Sequence, residues 1–132
     1  MNVIFEAPLN QLSFGNVAYN FLREFYRLKQ TDSSLKLAYF PAGTPDISAF
    51  DKIEPDFAKW LQEACDNRYK NLDKDAVTLK LWHINGAEKR LSRRQVLYSF
   101  YELDQPTESE KSILNFQDYS LFSRSEEHTS EL

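Results

Sequence analysis

The stretch Val3-Ile4-Phe5-Glu6-Ala7-Pro8 opens the chain with a compact apolar run that a proline closes. A short run of this kind is typical of a strand buried on both faces, as the central strands of parallel sheets are. Turn and N-cap residues follow in 13–16, and apolar residues then recur at helical spacing over 17–28. The sequence therefore predicts a strand followed by a helix that ends near Gln30.

Strand and helix patterns continue to alternate along the chain. After the first pair they predict a strand, a helix, two strands, a short helix and a last strand, over 35–40, 55–65, 77–84, 95–101, 107–115 and 119–122. The polar segment 87–94 leaves room for a short helical crossover between the third and fourth strands, and their pairing stays open. The alternation predicts an α/β fold, a Rossmann-like parallel sheet with flanking helices.

The composition is that of one globular domain. The chain of 132 residues holds ten Phe, seven Tyr and two Trp, and at this length folding hides roughly two-thirds of the surface. Sixteen Lys and Arg stand against twenty Asp and Glu, which gives a net charge of -4. Because binding to a phosphate backbone depends on a broad positive field, we expect no nucleic-acid partner.

Cys65 is the only cysteine in the sequence. It cannot form an intramolecular disulfide, and a zinc site of the paired-cysteine kind is excluded, so a reducing compartment fits. The N-terminus lacks the basic segment of a signal peptide, and no stretch approaches the roughly 20 apolar residues of a spanning helix. We expect a cytoplasmic protein whose membrane contact, if it has any, is peripheral.

The segment Arg124 to Leu132 differs from the rest of the chain. Nearly every residue in it is polar or charged, without the periodicity of another layer. It resembles a translated sequencing adapter, which makes 1–123 the natural domain of an incomplete protein; an ordinary frayed tail is the alternative. On either interpretation His128 is not functional.

Candidate site residues follow the predicted strands, because ligands of open α/β sheets bind beyond the carboxyl ends of the strands. In the first such loop, Gly15 would let a backbone approach a ligand, while Ser13 or Asn16 could cap the helix and leave amides for an oxygen-rich group. The alternative is that these residues only start a helix. Neither the dinucleotide fingerprint nor a phosphate loop is present, which weakens a dehydrogenase or NTPase hypothesis.

Two further candidates end later strands. His83, the only histidine outside 124–132, could act as a base or bond a hydroxyl, or be an ordinary hydrogen-bonded residue at a strand end. Without another histidine in 1–123 or a nearby cysteine, nothing suggests a metal. Glu102 follows an apolar strand and could orient a hydroxyl or accept a proton. Alternatively it caps the helix after Pro106 or pairs with Arg90.

Arginines and lysines concentrate in the segment 89–94. Such a cluster could meet phosphate or an anionic membrane surface. It lacks interleaved aromatic residues, and the rest of the chain is acidic, so a solvated charged surface is the competing interpretation.

Three segments together carry a family resemblance. They are Asn10-Gln11-Leu12-Ser13-Phe14-Gly15-Asn16-Val17, Leu81-Trp82-His83-Ile84-Asn85-Gly86-Ala87 and the run from Val96 to Glu108 with its pattern E-x-x-x-P-T. They resemble the N-terminal, acceptor-side half of group 1, family 4-like GT-B glycosyltransferases, over most of 1–123. Asp118 to Ser123 is similar to the strand that follows in that family.

The resemblance implies two Rossmann-like domains around a cleft, the first binding the acceptor and the second the nucleotide-sugar, without a metal or a resident cofactor. The resemblance implies that Ser13, Gly15 and Asn16 lie on the cleft floor and that His83 and Glu102 face the acceptor. No catalytic base is assigned. The family's donor-binding domain has no counterpart here, which implies an inactive fragment. The alternatives are a stand-alone flavodoxin-like or receiver-like domain that binds a ligand or signals, and a protein-interaction module.

Overall fold

The computed structural model describes residues 1–10, 13–45, 54–83, 86–100 and 107–123. Within them, the elements in chain order are β1 (Asn2–Ala7), α1 (Ser13–Thr31), β2 (Lys36–Pro41), α2 (Pro55–Asp66), β3 (Val77–Leu81), β4 (Arg94–Phe100), α3 (Glu108–Asn115) and β5 (Tyr119–Ser123). The five strands form one sheet in the order β2-β1-β3-β4-β5, and each neighbouring pair is parallel. The predicted α/β class with a parallel sheet is confirmed.

One face of the sheet, called here the helical face, is covered by α1 and α2. Alternate strand residues point to it, and Phe5 is its centre, within 6.1 Å of three other aromatic rings: Phe21, Phe25 and Tyr39. The Tyr39 hydroxyl donates to the Ala7 carbonyl at 3.0 Å. Burial, with a smaller contribution from Cys65, raises the pKa of Tyr39 above its ordinary value. α2 contributes Phe57 to this core, and that side chain is 2% exposed.

The opposite face, called here the loop face, is covered mainly by connecting segments. Leu72 and Leu91 pack against its buried residues Ile4, Ala38, Phe40 and Ala76. Further along the sheet, α3 contributes Ile113 and Leu114 to a cluster around Ala87 and Leu97. Unlike the helical face, this face buries polar side chains, namely those of Thr78, Lys80, Gln95 and Ser99.

The connection from β2 to β3 runs over both faces of the sheet. The chain moves from β1 to β2 in one direction and from β2 past β1 to β3 in the other, and right-handed connections in opposite directions lie on opposite faces. α2 nevertheless shares the helical face with α1. The segment after α2 makes the change of face, since Tyr69 packs on Phe40 at 5.3 Å and Leu72 lies on the loop face.

The predicted end of the third strand needs correction, and the connection that follows it had been left open. β3 ends at Leu81 and not at Ile84, because the next side chain, Trp82, turns out of the sheet to pack beside Phe14. Among the described residues of the segment between β3 and β4, turns and bends replace the helix that had room to form. The Gly86 and Lys89 carbonyls accept hydrogen bonds from Lys80 there.

Candidate functional site

The carboxyl ends of β1 and β3 are the switch point of the sheet, because the chain leaves β1 toward β2 on one side and returns to β3 on the other. Ligands of open α/β sheets bind at such points, where loops diverge and leave a crevice. A crevice of about 200 Å³ lies there. Its lining residues are Glu6, Ala42, Lys80, Leu81, Trp82, Gly86 and Lys89. It is smaller than the roughly 300 to 1,000 Å³ usual for drug-sized ligands.

An ion pair between β1 and β3 forms one wall of this crevice. Glu6 and Lys80 are register partners, and Lys80 Nζ lies 3.3 Å from Glu6 Oε1. The lysine side chain is 6% exposed and the glutamate 24%. A buried charge is costly unless it is paired and hydrogen-bonded, and Lys80 is both, since it donates to the Gly86 carbonyl at 3.2 Å and the Lys89 carbonyl at 3.1 Å.

Glu6 is less completely satisfied than Lys80. Its Oε1 is buried and, among the described residues, receives no aligned hydrogen bond, although it lies within ion-pair distance of the ammonium. The contact is therefore electrostatic, because the hydrogen bonds of the ammonium go to the two carbonyls. The quarter of the Glu6 side chain that stays exposed lines the crevice. A carboxylate in this position can accept a hydrogen bond from a hydroxyl group of a ligand.

Trp82 forms the apolar side of the crevice and depends on a glycine. Gly86 has a φ of +101°, and a Cβ there would lie 3.3 Å from Trp82 Cδ1. Both the left-handed backbone and the close indole ring favour glycine at this position. The Gly86 amide donates to Glu88 Oε2 at 2.9 Å, which fixes the start of the loop.

The structure brings the start of α1 together with His83. The exposed His83 ring packs edge-on against Phe14 at 4.9 Å and lies 5.2 Å from the Trp82 ring. Phe14 and Trp82 are 6.1 Å apart, so the three rings form one cluster. Trp82 belongs both to this aromatic cluster and to the crevice, which places His83 at the rim.

The predicted residues of the first loop have separate positions. α1 begins at Ser13, and Asn16, the other residue that the sequence offered as a cap, is exposed inside its first turn. Gly15 is buried, and a Cβ there would overlap the backbone of Asn10. The space beside Gly15 is thus filled by the preceding loop. Glu102 and the segment 124–132 lie outside the described residues, and the suggested partner of Glu102, Arg90, pairs with Asp118.

The other basic residues of this region are also engaged. Arg93 lies 3.5 Å from an Asp75 carboxylate oxygen, and Arg94 donates to the Asp75 carbonyl at 3.0 Å. These contacts are at the start of β4, the opposite end from the crevice. Lys89 alone among the four basic residues of 89–94 lines the crevice.

The Glu6–Lys80 ion pair was not predicted from the sequence. A signal for it was nevertheless present in the sequence, because Glu6 and Lys80 each place a charge inside a strand of mostly apolar residues. Strands buried on both faces rarely carry charges without a partner, so two opposite charges on two such strands favour a pair.

A second depression, of about 230 Å³, lies at the amino-terminal end of β2, near Lys36 and Trp60. The C-terminal turns of α1 and α2 contribute Lys29 and Ala64 to it. Helix C-termini present carbonyl groups and not amide donors, and the switch point lies at the carboxyl ends of the strands. The crevice at β1 and β3 is therefore the better candidate site.

Among the described residues, no group of three or more His, Cys, Asp or Glu residues is arranged to hold a metal ion. None of the helices in those residues combines the length and apolarity needed to cross a membrane. No protein-family model, curated protein or solved structure matches the chain.

Proposed function

We propose that the chain is the acceptor-side half of a GT-B glycosyltransferase, which transfers a hexose from a nucleotide-sugar to an acceptor hydroxyl. The observation that carries the proposal is the Glu6–Lys80 pair in the crevice at the carboxyl ends of β1 and β3. The family resemblance of 10–17, 81–87 and 96–108 supports an acceptor-binding role for the domain that holds this pair. Transfer then depends on holding the acceptor hydroxyl in line with the donor.

In this proposal the chain binds and orients the acceptor. Glu6 accepts a hydrogen bond from an acceptor hydroxyl, Trp82 offers an apolar wall to the sugar ring, and Lys89 supplies a donor at the mouth of the crevice. His83 at the rim bonds a second hydroxyl. A second domain holds the nucleotide-sugar as substrate, so the chain by itself binds acceptor without transferring sugar. The protein acts in the cytoplasm, and neither a metal nor a nucleic acid takes part.

One observation favours the alternative of a flavodoxin-like binding or signalling domain. The strand order 2-1-3-4-5 is the flavodoxin-like order. Against it, α1 and α2 share one face, whereas right-handed crossovers alone would place them on opposite faces. A receiver-like site also needs an acidic cluster, and the acidic residue in the crevice, Glu6, is paired with Lys80.

The genomic DNA that follows the codon for Ser123 tests the proposal directly. We expect an open reading frame of similar length that encodes a second Rossmann-like domain. An immediate stop codon would contradict the transferase hypothesis and support a stand-alone domain.

Ligand titration of the 132-residue chain gives an independent test. We expect methyl glucoside or methyl mannoside to shift the NMR signals of the Trp82 indole and the Gly86 and Lys89 amides, with a smaller effect in Glu6→Gln. Glu24→Gln, on the exposed surface of α1, is the matched control. If flavin mononucleotide shifts these signals and neither glycoside does, the flavodoxin-like alternative replaces the proposal.

A further inference from the structure

Gln95 is a fully buried polar residue near the start of β4. It lies on β4, it is 0% exposed, and it points to the loop face beside the apolar cluster around Leu97. Its Nε2 donates to the Ala87 carbonyl and to Gln117 Oε1, both at 2.8 Å. Because both neighbours of Nε2 are acceptors, the hydrogen bonds determine the orientation of the amide.

Gln95 does not maximise stability at its position. Its Oε1 is buried without a hydrogen-bond partner among the described residues. Leaving a buried acceptor unsatisfied is unfavourable, whereas an apolar side chain of similar shape would fit the surrounding cluster. The Ala87 carbonyl would still accept from Gln117 Nε2 at 3.1 Å. The role of Gln95 therefore lies in the groups that accept its hydrogen bonds, the Ala87 carbonyl and the Gln117 side chain.

Gln95 and Gln117 hold the loop that follows Gly86. Both donate to the carbonyl of Ala87, a residue that is 0% exposed and lies between the two loop carbonyls that accept from Lys80. Further along the same loop, Arg90 binds the Asp118 carboxylate and donates to the Phe116 carbonyl at 2.9 Å. The loop is thus attached to the junction of α3 and β5.

We infer that Gln95 and Gln117 are positioning residues of the crevice, which act by fixing the 86–89 loop whose carbonyls hold Lys80 beside Glu6. The inference concerns Lys80 and the loop; only its consequence for saccharide binding rests on the proposed function. The two glutamines support each other, because either one alone still satisfies the Ala87 carbonyl.

The test is a double-mutant cycle with Gln95→Met and Gln117→Met. In each single variant we expect the Lys89 amide to exchange about two- to tenfold faster, the range for one net hydrogen bond. In the double variant, the fold increase in the Lys89 exchange rate should exceed the product of the fold increases in the two single variants. The reason is that the buried Ala87 carbonyl then lacks both glutamine donors. The ζ-ammonium NMR signal of Lys80 should broaden in the double variant, an effect that general destabilisation does not produce.

Val96→Ala is the control, since Val96 neighbours Gln95 on β4 but points to the helical face. Urea unfolding of every variant establishes that it is folded, and the single variants remain informative if the double variant is not. The inference is overturned if the Lys89 exchange rate and the Lys80 signal stay unchanged, or if Val96→Ala changes them equally. If they change as expected while wild-type protein binds no saccharide, the proposed function fails and the inference stands.

Discussion

Of the three glycines, Gly15 has the least room for a side chain. A Cβ at this position would overlap the backbone of Asn10, which cannot move aside as the end of a side chain can. We expect Gly15→Ala to lower the free energy of unfolding by about 1 to 3 kcal/mol, the usual cost of overpacking. Urea denaturation measures the loss, and Asn20→Ala, on the exposed surface of the same helix, is the control. Equal stability of Gly15→Ala and wild type would contradict this packing.

Lys80 is expected to matter more for stability than its partner Glu6. Replacing it with Met leaves the Gly86 and Lys89 carbonyls without this donor and a partly buried carboxylate without its charge partner. Because Glu6 is 24% exposed, the expected cost is about 2 kcal/mol, below the 3 to 5 kcal/mol of a fully buried pair.

The corresponding measurement is urea unfolding of Lys80→Met, Glu6→Gln and the double variant. Glu6→Gln should be the milder change, because Lys80 keeps both carbonyl acceptors. The double variant should be less destabilised than the sum of the singles, since it leaves no unpaired carboxylate. Additive effects would show that the two charges do not interact.

At the scale of elements, the junction of α3 and β5 depends on Asp118. The hydrogen bond from the Gln95 backbone N–H, and next the one from the Arg90 side chain, lower the pKa of the Asp118 carboxyl below its ordinary value of 3.8. A depressed folded-state pKa stabilises the fold above the unfolded-state value and loses that contribution as pH falls through the folded-state value. Acid should therefore loosen the attachment of the loop to β5.

Asp118→Asn tests this pH dependence. We expect the variant to lose less stability than wild type when the pH falls below about 3.8, the ordinary pKa of the residue. Urea unfolding at neutral and acidic pH measures the difference, with Asp66→Asn on α2 as the control. A variant that loses stability with falling pH as steeply as wild type would contradict the role of Asp118.

The start of α3 depends on a capping box. The Thr107 hydroxyl accepts from the Glu110 amide at 3.1 Å, and the Glu110 carboxylate accepts from the Thr107 amide at 2.9 Å. Thr107→Ala should lower the free energy of unfolding by about 1 kcal/mol, whereas Thr107→Ser should change it little. Thermal unfolding of both variants measures the contrast, and equal stability would show that the cap contributes nothing.

At the scale of the whole molecule, β5 is an outer strand of the sheet that leaves apolar side chains exposed. Tyr119 is 60% exposed and Leu121 39%, and both are register partners of residues on the helical face. Phe116, just before the strand, is 71% exposed. Parallel sheets usually have both faces covered, so exposed apolar side chains on this strand are unusual for an α/β domain.

We therefore expect the 132-residue chain to self-associate through this surface. Sedimentation velocity should reveal oligomers whose fraction rises with protein concentration. Tyr119→Lys with Leu121→Thr should shift the distribution to monomer, whereas Tyr69→Lys should not, although Tyr69 is 70% exposed and lies at another site. A wild-type protein that stays monomeric at every concentration would contradict this expectation.

The fold was largely predictable from the sequence. Elements with a clear apolar period, such as α1 and α2, were predicted to within a few residues, because one helix face must be buried whatever it packs against. The end of β3 was predicted three residues too late. The Trp82 ring packs beside Phe14 there, a contact between segments far apart in the chain.

The alternation of strands and helices, and the position of His83 after a strand, could be predicted from the sequence, since apolar periodicity and turn residues are local properties. The strand order, the sharing of one face by α1 and α2, and the pairing of Glu6 with Lys80 are features of the folded chain alone. These features depend on which distant segments become neighbours. No local sequence pattern determines which segments become neighbours, because their arrangement depends on the free energy of the whole packed chain.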